Sequence, residues 1–306
     1  MSVAIVLPAR LASTRLPNKL LLSKTGRTLL EHTLERARAA QSAWPQLFTT
    51  VLVACDDKEL AAAARRARVE AVLTDPALPS GTDRIAAAAQ GLSEDVIVNL
   101  QGDEPEVEID YLKAVAEILT GGPLGTLDTR MGLAPPQPET AGMATLAVPI
   151  LDEARFREPS VVKVVVRRDG HALYFSRAPI PFARDAGKVE DGMHVIDPRT
   201  KKPARIWGFH HLGLYAYRRE FLLEFPALAP TIHERTEKLE QLRALDHGRA
   251  IAVRFVPKHV PGIDTPEQYD AFVERYQARG GGQDQSADLA DVQGDWLDRG
   301  ATFYGH

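Results

Sequence analysis

The sequence predicts an α/β fold in which a mixed, mostly parallel sheet is flanked by helices and carries a β-hairpin arm. Three observations lead there. Short β-prone apolar runs alternate with helix-spaced segments from Val3 to Leu119, a pattern that implies parallel pairing with helices on both faces. The pair Asp169-Gly170 separates two further apolar runs, as a tight hairpin turn requires. The chain of 306 residues, 44% hydrophobic and 25% charged, can bury a real core, as one large domain or as two modest ones of roughly 150 residues.

Val3–Leu7 reads as a strand stopped by Pro8, and Leu29, Leu30, Leu34 and Ala37 then recur at helical spacing. Phe48–Ala54 is a second strand, and Asp56-Asp57 are cap candidates for an alanine-rich helix through Arg68. Ala71–Leu73 is a short strand, Thr82–Gln90 a helix, Val96–Leu100 a strand and Ile109–Leu119 a helix. Residues 121–142, with four prolines after Gly122 and no periodicity, break the alternation as a surface insertion. Met143–Ile150 resumes a strand, and Val161–Arg167 with His171–Ser176 forms the hairpin. Residues 183–206 are polar and basic and read as a loop leading into a strand from His211 to Tyr217.

Thr231–Asp246 reads as one long helix with Leu239, Leu242 and Leu245 on one side, closed by Gly248 in a left-handed cap. Ile251–Val256 is the last strand. Thr265, Pro266 and Gln268 have the hydroxyl cap, first-position proline and capping-box glutamine of a helix start, and that helix ends near Arg279. Residues 1–279 form the expected domain, with the arm at about 161–217. Residues 280–306 read as a linker and C-terminal tail, in which Trp296, Leu297, Phe303 and Tyr304 are the residues able to dock.

Composition excludes several functions. Lysine and arginine total 37 against 41 acidic residues, a net charge of −4 that argues against broad nucleic-acid binding. The single cysteine, Cys55, cannot form an intramolecular disulfide or a multi-cysteine zinc site, so a reducing compartment, by default the cytoplasm, is expected and Cys55 itself is expected to be packed. The N-terminal apolar run is too short for a signal peptide, and no stretch approaches the roughly 20 apolar residues of a membrane span. The charge is unevenly placed: residues 1–30 hold Arg10, Arg15, Lys19, Lys24 and Arg27 without an acid, a field suited to a small anionic ligand.

The segment Pro8-Ala9-Arg10-Leu11-Ala12-Ser13-Thr14-Arg15-Leu16-Pro17-Asn18-Lys19 directly follows the first strand. Ligands of parallel sheets bind in the crevice beyond the strand ends. Cations alone favour a solvated basic loop. Here three fixed cations, two hydroxyls and backbone amides before a helix, in a segment with two prolines at a sheet end, can cradle a triphosphate. The segment is neither G-x-x-x-x-G-K-[ST] nor G-x-G-x-x-G, so ordinary P-loop and dinucleotide readings lack their signatures.

The segment resembles the opening motif P-A-R-x-x-S-T-R-L-P-G-K of the 3-deoxy-manno-octulosonate cytidylyltransferase (CMP-Kdo synthetase) family. Asn18 stands where that family usually has glycine, and asparagine tolerates a left-handed backbone better than most residues. Further matches follow in the family's order: Ser80-Gly81-Thr82-Asp83-Arg84, Asn99-Leu100-Gln101-Gly102-Asp103-Glu104-Pro105, Gly142 to Pro149, and Tyr174-Phe175-Ser176-Arg177. His211 to Tyr217, Leu239-Glu240-Gln241-Leu242-Arg243 and Gly262-Ile263-Asp264-Thr265-Pro266-Glu267 complete the series. The resemblance covers roughly residues 1–278, with longer segments near 42–50, 121–141 and 183–206.

The resemblance implies a nucleotide-diphospho-sugar transferase-like fold, a homodimer, and transfer of CMP from CTP to Kdo for lipopolysaccharide biosynthesis, with pyrophosphate released. Asp103 follows an apolar strand and projects at the sheet edge near the cationic loop, where a carboxylate beside phosphates invites Mg2+. The family match makes Asp103 and Asp264 the metal ligands and, with Lys19, the catalytic set. Ala9, Arg10, Ser13, Arg15, Lys19, Ser80, Gly81, Thr82 and Gln101 would bind the nucleotide, with Ser80-Gly81-Thr82 facing the base. Gln101, Arg177, His211, Tyr215, Glu240 and Gln241 would bind the acidic sugar, the planar fork of Arg177 suiting its carboxylate.

By residue type alone, Ser80 and Asp264 read as helix caps, His211 as a structural histidine and Glu240 as a solvated helix face. A zinc-protease motif fails because Glu237 stands where the second histidine of His233-Glu234-x-x-His would be, and no G-x-S-x-G elbow is present. A cytidylyltransferase for another ulosonic or nonulosonic acid and a noncatalytic CTP-binding regulator are the alternative readings, and the two retained aspartates oppose the regulator.

Residues 283–306 follow a triple glycine and lie outside the resembling region, so their removal should leave catalysis largely intact. Activity and size-exclusion measurements on the truncated chain check this; loss of most activity or of the oligomeric state would make the aromatic tail part of the working structure.

Overall fold

The computed structural model of the chain describes residues 1–13, 15–123, 128–129, 134, 141–182, 184, 194–196, 203–258 and 261–280. Most of the expected insertion at 121–142, most of the loop at 183–206 and nearly all of the tail lie outside the described residues. Strands β1 (Val3–Ala9), β2 (Phe48–Cys55), β3 (Glu70–Leu73) and β4 (Val96–Asn99) alternate with helices α1 (Leu29–Ala43), α2 (Lys58–Arg66) and α3 (Gly81–Ala89). Then follow α4 (Ile109–Thr120), β5 (Ala141–Ile150), α5 (Glu153–Arg157), the hairpin β6 (Lys163–Val166) and β7 (Ala172–Ser176), and a small antiparallel pair, β8 (His194–Ile196) and β9 (Pro203–Arg205). The chain continues through β10 (Gly208–Arg218), α6 (Arg219–Glu224), α7 (Ile232–Glu237), α8 (Gln241–Asp246), β11 (Ala250–Phe255) and α9 (Pro266–Ala278).

The main sheet runs β11-β5-β10-β4-β1-β2-β3, with the β6–β7 hairpin attached to β10. Ladders β1–β2, β1–β4, β2–β3 and β5–β11 are parallel, whereas β10 is antiparallel to both β4 and β5. Every residue of β1 is buried, as a central strand covered on both faces requires. Val3, Ile5 and Leu7 pack on one side with Leu29, Leu34, Leu112 and Phe272, and Ala4 and Val6 on the other with Ile85, Leu222 and Leu242. Each such fully buried aliphatic side chain is worth about 1.5–3 kcal/mol of transfer free energy, so these two layers set the position of the strand ends. Cys55 is buried at the end of β2, as expected.

Local signals place most boundaries. Thr28 and Glu31 form a capping box at α1, and Thr265 and Gln268 form one at α9 with Pro266 in its first turn. The hairpin turns at Gly170, whose φ of 78° suits glycine, and Gly248 has φ 73° after α8. Of the two cap candidates at 56–57, Asp57 caps α2 by accepting from the Glu59 amide.

The long helix expected over 231–246 is broken. Lys238 adopts a left-handed backbone, φ 55°, and ends α7. The reason lies in packing: α7 buries none of its side chains, while Leu239 and Leu242 must enter the core. A straight helix would not serve both segments, and the Arg243 guanidinium ties them together by donating to both oxygens of Glu234, at 2.9 and 2.6 Å.

A lysine with positive φ is strained, so Lys238→Gly should raise the unfolding free energy by about 0.5–1 kcal/mol and Lys238→Val lower it by about 1 kcal/mol or more. Chemical denaturation checks the pair; equal effects would mean that the break carries no strain.

Candidate active site

Strand direction gathers the site. Because β1 and β4 are parallel, the chain leaves both toward the same sheet edge, through Pro8–Ala9 on one side and Leu100–Asp103 on the other. Strand β5 and strand β4 both oppose β10, and β11 runs with β5, so the segment after Phe255 heads to that edge as well. The Ile263 amide donates to the Asp103 carbonyl at 2.9 Å, which brings Asp264 beside Asp103. Gly102 lies close behind: a Cβ there would come within 3.3 Å of the Leu20 side chain and 3.4 Å of the Pro8 carbonyl.

At this edge the Lys19 ammonium donates to Asp103 Oδ2 and, at 2.9 Å, to Asp264 Oδ1, and Arg15 Nη2 pairs with Asp264 Oδ2 at 2.9 Å. Asn18 has the left-handed backbone that its place in the motif called for, φ 50°, and opens the short 3-10 turn carrying Lys19. Burial works to lower the Lys19 pKa, but the charges and hydrogen bonds of Asp103 and Asp264 outweigh it and hold the ammonium above its ordinary value. Burial and the neighbouring Asp103 push Glu104 up to about 8. Arg10 is exposed and Ser13 half-buried on the same loop, while Ala9 is buried as the last residue of β1. Thr14 lies outside the described residues.

Ser80 caps α3, its hydroxyl accepting from the Asp83 amide and donating to Asp83 Oδ2 at 2.6 Å. A Cβ on Gly81 would touch the Pro8 ring at 3.5 Å, so the start of α3 lies against the end of β1. The Thr82 hydroxyl donates to Glu240 Oε2 at 2.6 Å, joining the Ser80-Gly81-Thr82 segment to Glu240-Gln241 across 158 residues of sequence. Gln101 Nε2 donates to Asn99 Oδ1 at 3.0 Å, and Asn99 lies opposite Tyr215 in the β4–β10 ladder.

Beyond that pair, β10 outruns β4. Residues 208–212 continue between β5 and β6 and carry His211 to the rim of the site. His211 Nε2 lies 3.1 Å from the Thr145 hydroxyl, whose single proton is directed at the Leu212 and Leu214 carbonyls, so the imidazole Nε2–H donates. Burial lowers the His211 pKa to about 3 and keeps the ring neutral. The Phe175 ring meets it edge-on at 4.9 Å and Tyr215 lies 5.3 Å away. Burial, then Tyr217 and Glu240, push the Tyr215 phenol well above its usual pKa, so it keeps its proton. Gln241 is 4% exposed and its Nε2 is a buried donor without a partner among the described residues, a group that a hydroxylated ligand would satisfy. Arg177, just after β7, donates through Nε to the Glu237 carbonyl at 2.8 Å and through Nη1 to the Pro159 carbonyl at 3.2 Å.

Several supporting residues escaped the sequence reading. Asp56 accepts from the Leu11 amide at 3.0 Å and pairs with Arg84 at 3.2 Å, so it braces the cationic loop against α3. Its position at the end of the strand next to β1 was the available signal. Lys163 and Glu237, which surround Arg177, carried none.

The two aspartates suit a divalent cation. They already converge on one positive centre, the Lys19 ammonium, and all their donors are oxygens. Among the described residues no cluster of three or more His, Cys, Asp or Glu could hold a metal alone. Two carboxylates supplemented by phosphate oxygens and water are the set that magnesium favours.

The sequence pattern of a family described as cytidylyltransferase matches residues 4–251. The 3-deoxy-manno-octulosonate cytidylyltransferase of Polynucleobacter necessarius subsp. necessarius (strain STIR1) is 41% identical over 270 residues, 87% of this chain and 92% of that protein. That of Rhodopirellula baltica is 41% identical over 281 residues, 91% of this chain and 100% of that protein. A solved structure of CMP:2-keto-3-deoxy-manno-octonic acid synthetase complexed with CTP superposes with a TM-score of 0.72 at 33% identity, covering 91% of this chain and 100% of that one.

The buried, neutral His211 has a consequence for acid stability. The unfolded chain takes up a proton near the ordinary histidine pKa of 6.5, the folded one only near 3, so this contribution is complete above pH 6.5 and is lost as the pH falls toward 3. His211→Gln should flatten the pH dependence of unfolding free energy in that window by up to about 1.4 kcal/mol per pH unit. Denaturant titrations between pH 4.5 and 7 check it; parallel curves would mean that the histidine is not buried in neutral form.

Proposed function

The chain belongs to the 3-deoxy-manno-octulosonate cytidylyltransferase family, and on that premise we propose how its residues activate Kdo with CTP to give CMP-Kdo and pyrophosphate. The observation that carries the proposal is the meeting of Arg15 and Lys19 with Asp103 and Asp264 at the end of β1, beside the start of α3.

Arg10, Arg15 and Lys19 take the triphosphate. Lys19 exchanges its two carboxylates for phosphate oxygens, and Asp103 and Asp264 would then hold Mg2+. When bound, the magnesium neutralises phosphate charge, polarises the α-phosphate and favours deprotonation of the attacking hydroxyl. Ser80, Gly81 and Thr82 line the nucleotide side. Gln101, Arg177, His211, Tyr215, Glu240 and Gln241 orient the sugar acid, with Arg177 on its carboxylate, the His211 Nε2–H kept on Thr145 and the Gln241 amide donating to a hydroxyl. The anomeric hydroxyl oxygen attacks the α-phosphorus in line, its proton passes to solvent water, and the bond to the pyrophosphate oxygen breaks to release pyrophosphate. No covalent enzyme intermediate is formed, so catalysis consists of positioning and charge neutralisation. The working form is a cytoplasmic homodimer. No helix among the described residues is long and apolar enough to cross a membrane.

Asp103→Asn and Asp264→Asn remove charge at nearly constant shape, so each should lower kcat by at least ~100-fold while circular dichroism stays unchanged. Undiminished pyrophosphate release by both variants, with CTP, Mg2+ and a panel of sugar acids, would eliminate the metal site.

Arg177→Lys should weaken binding of a nonreactive sugar-acid analogue by roughly ten- to a hundredfold and leave CTP binding intact, because one ammonium cannot reproduce paired charge-assisted hydrogen bonds. Unchanged sugar affinity, or an equal loss for CTP, would assign Arg177 elsewhere.

A further inference from the structure

Arg177 is held by more contacts than a ligand-binding side chain needs, and three residues outside the family motifs, Glu237, Pro159 and Lys163, account for them. Glu237, the last residue of α7, grips the Ser176–Arg177 segment at three points. Its Oε1 accepts from the Ser176 hydroxyl at 2.6 Å, its Oε2 accepts from the Arg177 amide at 2.9 Å, and its carbonyl accepts from Arg177 Nε at 2.8 Å. The other anchor is the Pro159 carbonyl, which accepts from Arg177 Nη1 at 3.2 Å. Lys163 secures that side. It is fully buried, and its ammonium donates to the carbonyls of Glu158, Val161 and Arg177 at 3.0, 2.6 and 2.6 Å. One lysine thus staples the turn that carries Pro159 to the backbone of Arg177 itself.

We propose that Glu237, braced by Lys163, is a positioning residue that sets the Arg177 guanidinium for the sugar carboxylate. The inference rests on the reading that Arg177 binds that carboxylate. No ion pair links the Glu237 carboxylate to the Arg177 guanidinium; Glu237 holds Arg177 through backbone and hydroxyl bonds, which fix direction without neutralising charge. The cation remains available to the substrate. Lys238 turns left-handed immediately afterwards, and Glu240 and Gln241 follow, so one short turn couples the grip on Arg177 to the residues facing the sugar hydroxyls. A guanidinium tethered at two of its nitrogens loses less freedom on binding, and pre-organisation of this kind raises affinity for the matching ligand.

The test separates a positioning role from a merely structural one. Glu237→Ala removes both side-chain bonds, whereas Glu237→Gln can still accept from the Arg177 amide and donate to the Ser176 oxygen. Glu237→Ala should raise KM for the sugar acid by about tenfold, with KM for CTP changed less than about twofold, and Glu237→Gln should restore most of the loss. Lys163→Met should have the same selectivity, and its folding is followed by circular dichroism; Glu237→Ala, on a partly exposed side chain, keeps the test open if Lys163→Met does not fold. Each variant is also made in an Arg177→Met background. If Glu237 acts through Arg177, Glu237→Ala has no further effect on the sugar KM there. Independent, additive losses, or equal losses for sugar and CTP, would overturn the positioning role. A sugar KM unmoved by Arg177→Met alone would instead refute the assignment of Arg177 on which the inference rests.

Discussion

One ammonium between two carboxylates organises this molecule. Lys19 reaches Asp103 across 84 residues of sequence and Asp264 across 245, and it can do so only because three strands running the same way end at one edge of the sheet. Within the cluster two aspartates balance Lys19 and Arg15. A triphosphate alone would find its cations already engaged and two carboxylates facing it. Under the proposed function, a triphosphate accompanied by a divalent cation would exchange partners with the cluster, with Lys19 turning to phosphate and Asp103 and Asp264 left to hold the cation. The half-buried Lys19 keeps its charge through these ion pairs.

The second constraint is the reversed strand. Because β10 opposes both its neighbours and outruns β4, its first residues lie beyond the sheet edge, walled by β5 and β6. That overhang carries His211, whose ring lies 5.3 Å from that of Tyr215. The hydrogen bond from Thr82 to Glu240 joins the start of α3 to the Glu240-Gln241 segment, the two stretches proposed to face the nucleotide and the sugar.

How far the sequence reveals this depends on the scale of the signal. The alternation of strands and helices was legible because buried parallel strands are continuous apolar runs, and the caps at Thr265 and Ser80 because a capping side chain acts within three residues. Strand direction was not: the residues 211–217 announce a strand but carry no mark of which way it runs. The break at Lys238 was hidden because helical spacing continues through it and a left-handed lysine has no local signature. Asp56 and Asp57 are adjacent and identical, yet one caps a helix and the other braces the cationic loop from 45 residues away. Lys163, in a run of valines, has the pattern of a side chain turned to solvent and instead lies buried on three carbonyls. The residues named for the site were drawn from a motif series, while those that hold them in place depend on long-range contacts.

The most direct test of the charge cluster is calorimetric titration of CTP into the Asp103→Asn/Asp264→Asn double variant in the presence of a chelator. With no metal to receive, the two carboxylates only compete for Lys19 and repel phosphate. Their removal should therefore tighten CTP binding by about tenfold relative to the unmodified protein, the reverse of its effect in Mg2+. Metal-free CTP binding that is unchanged or weaker in the double variant would contradict the account, because the aspartates would then hold the loop in shape rather than hold its cations in reserve.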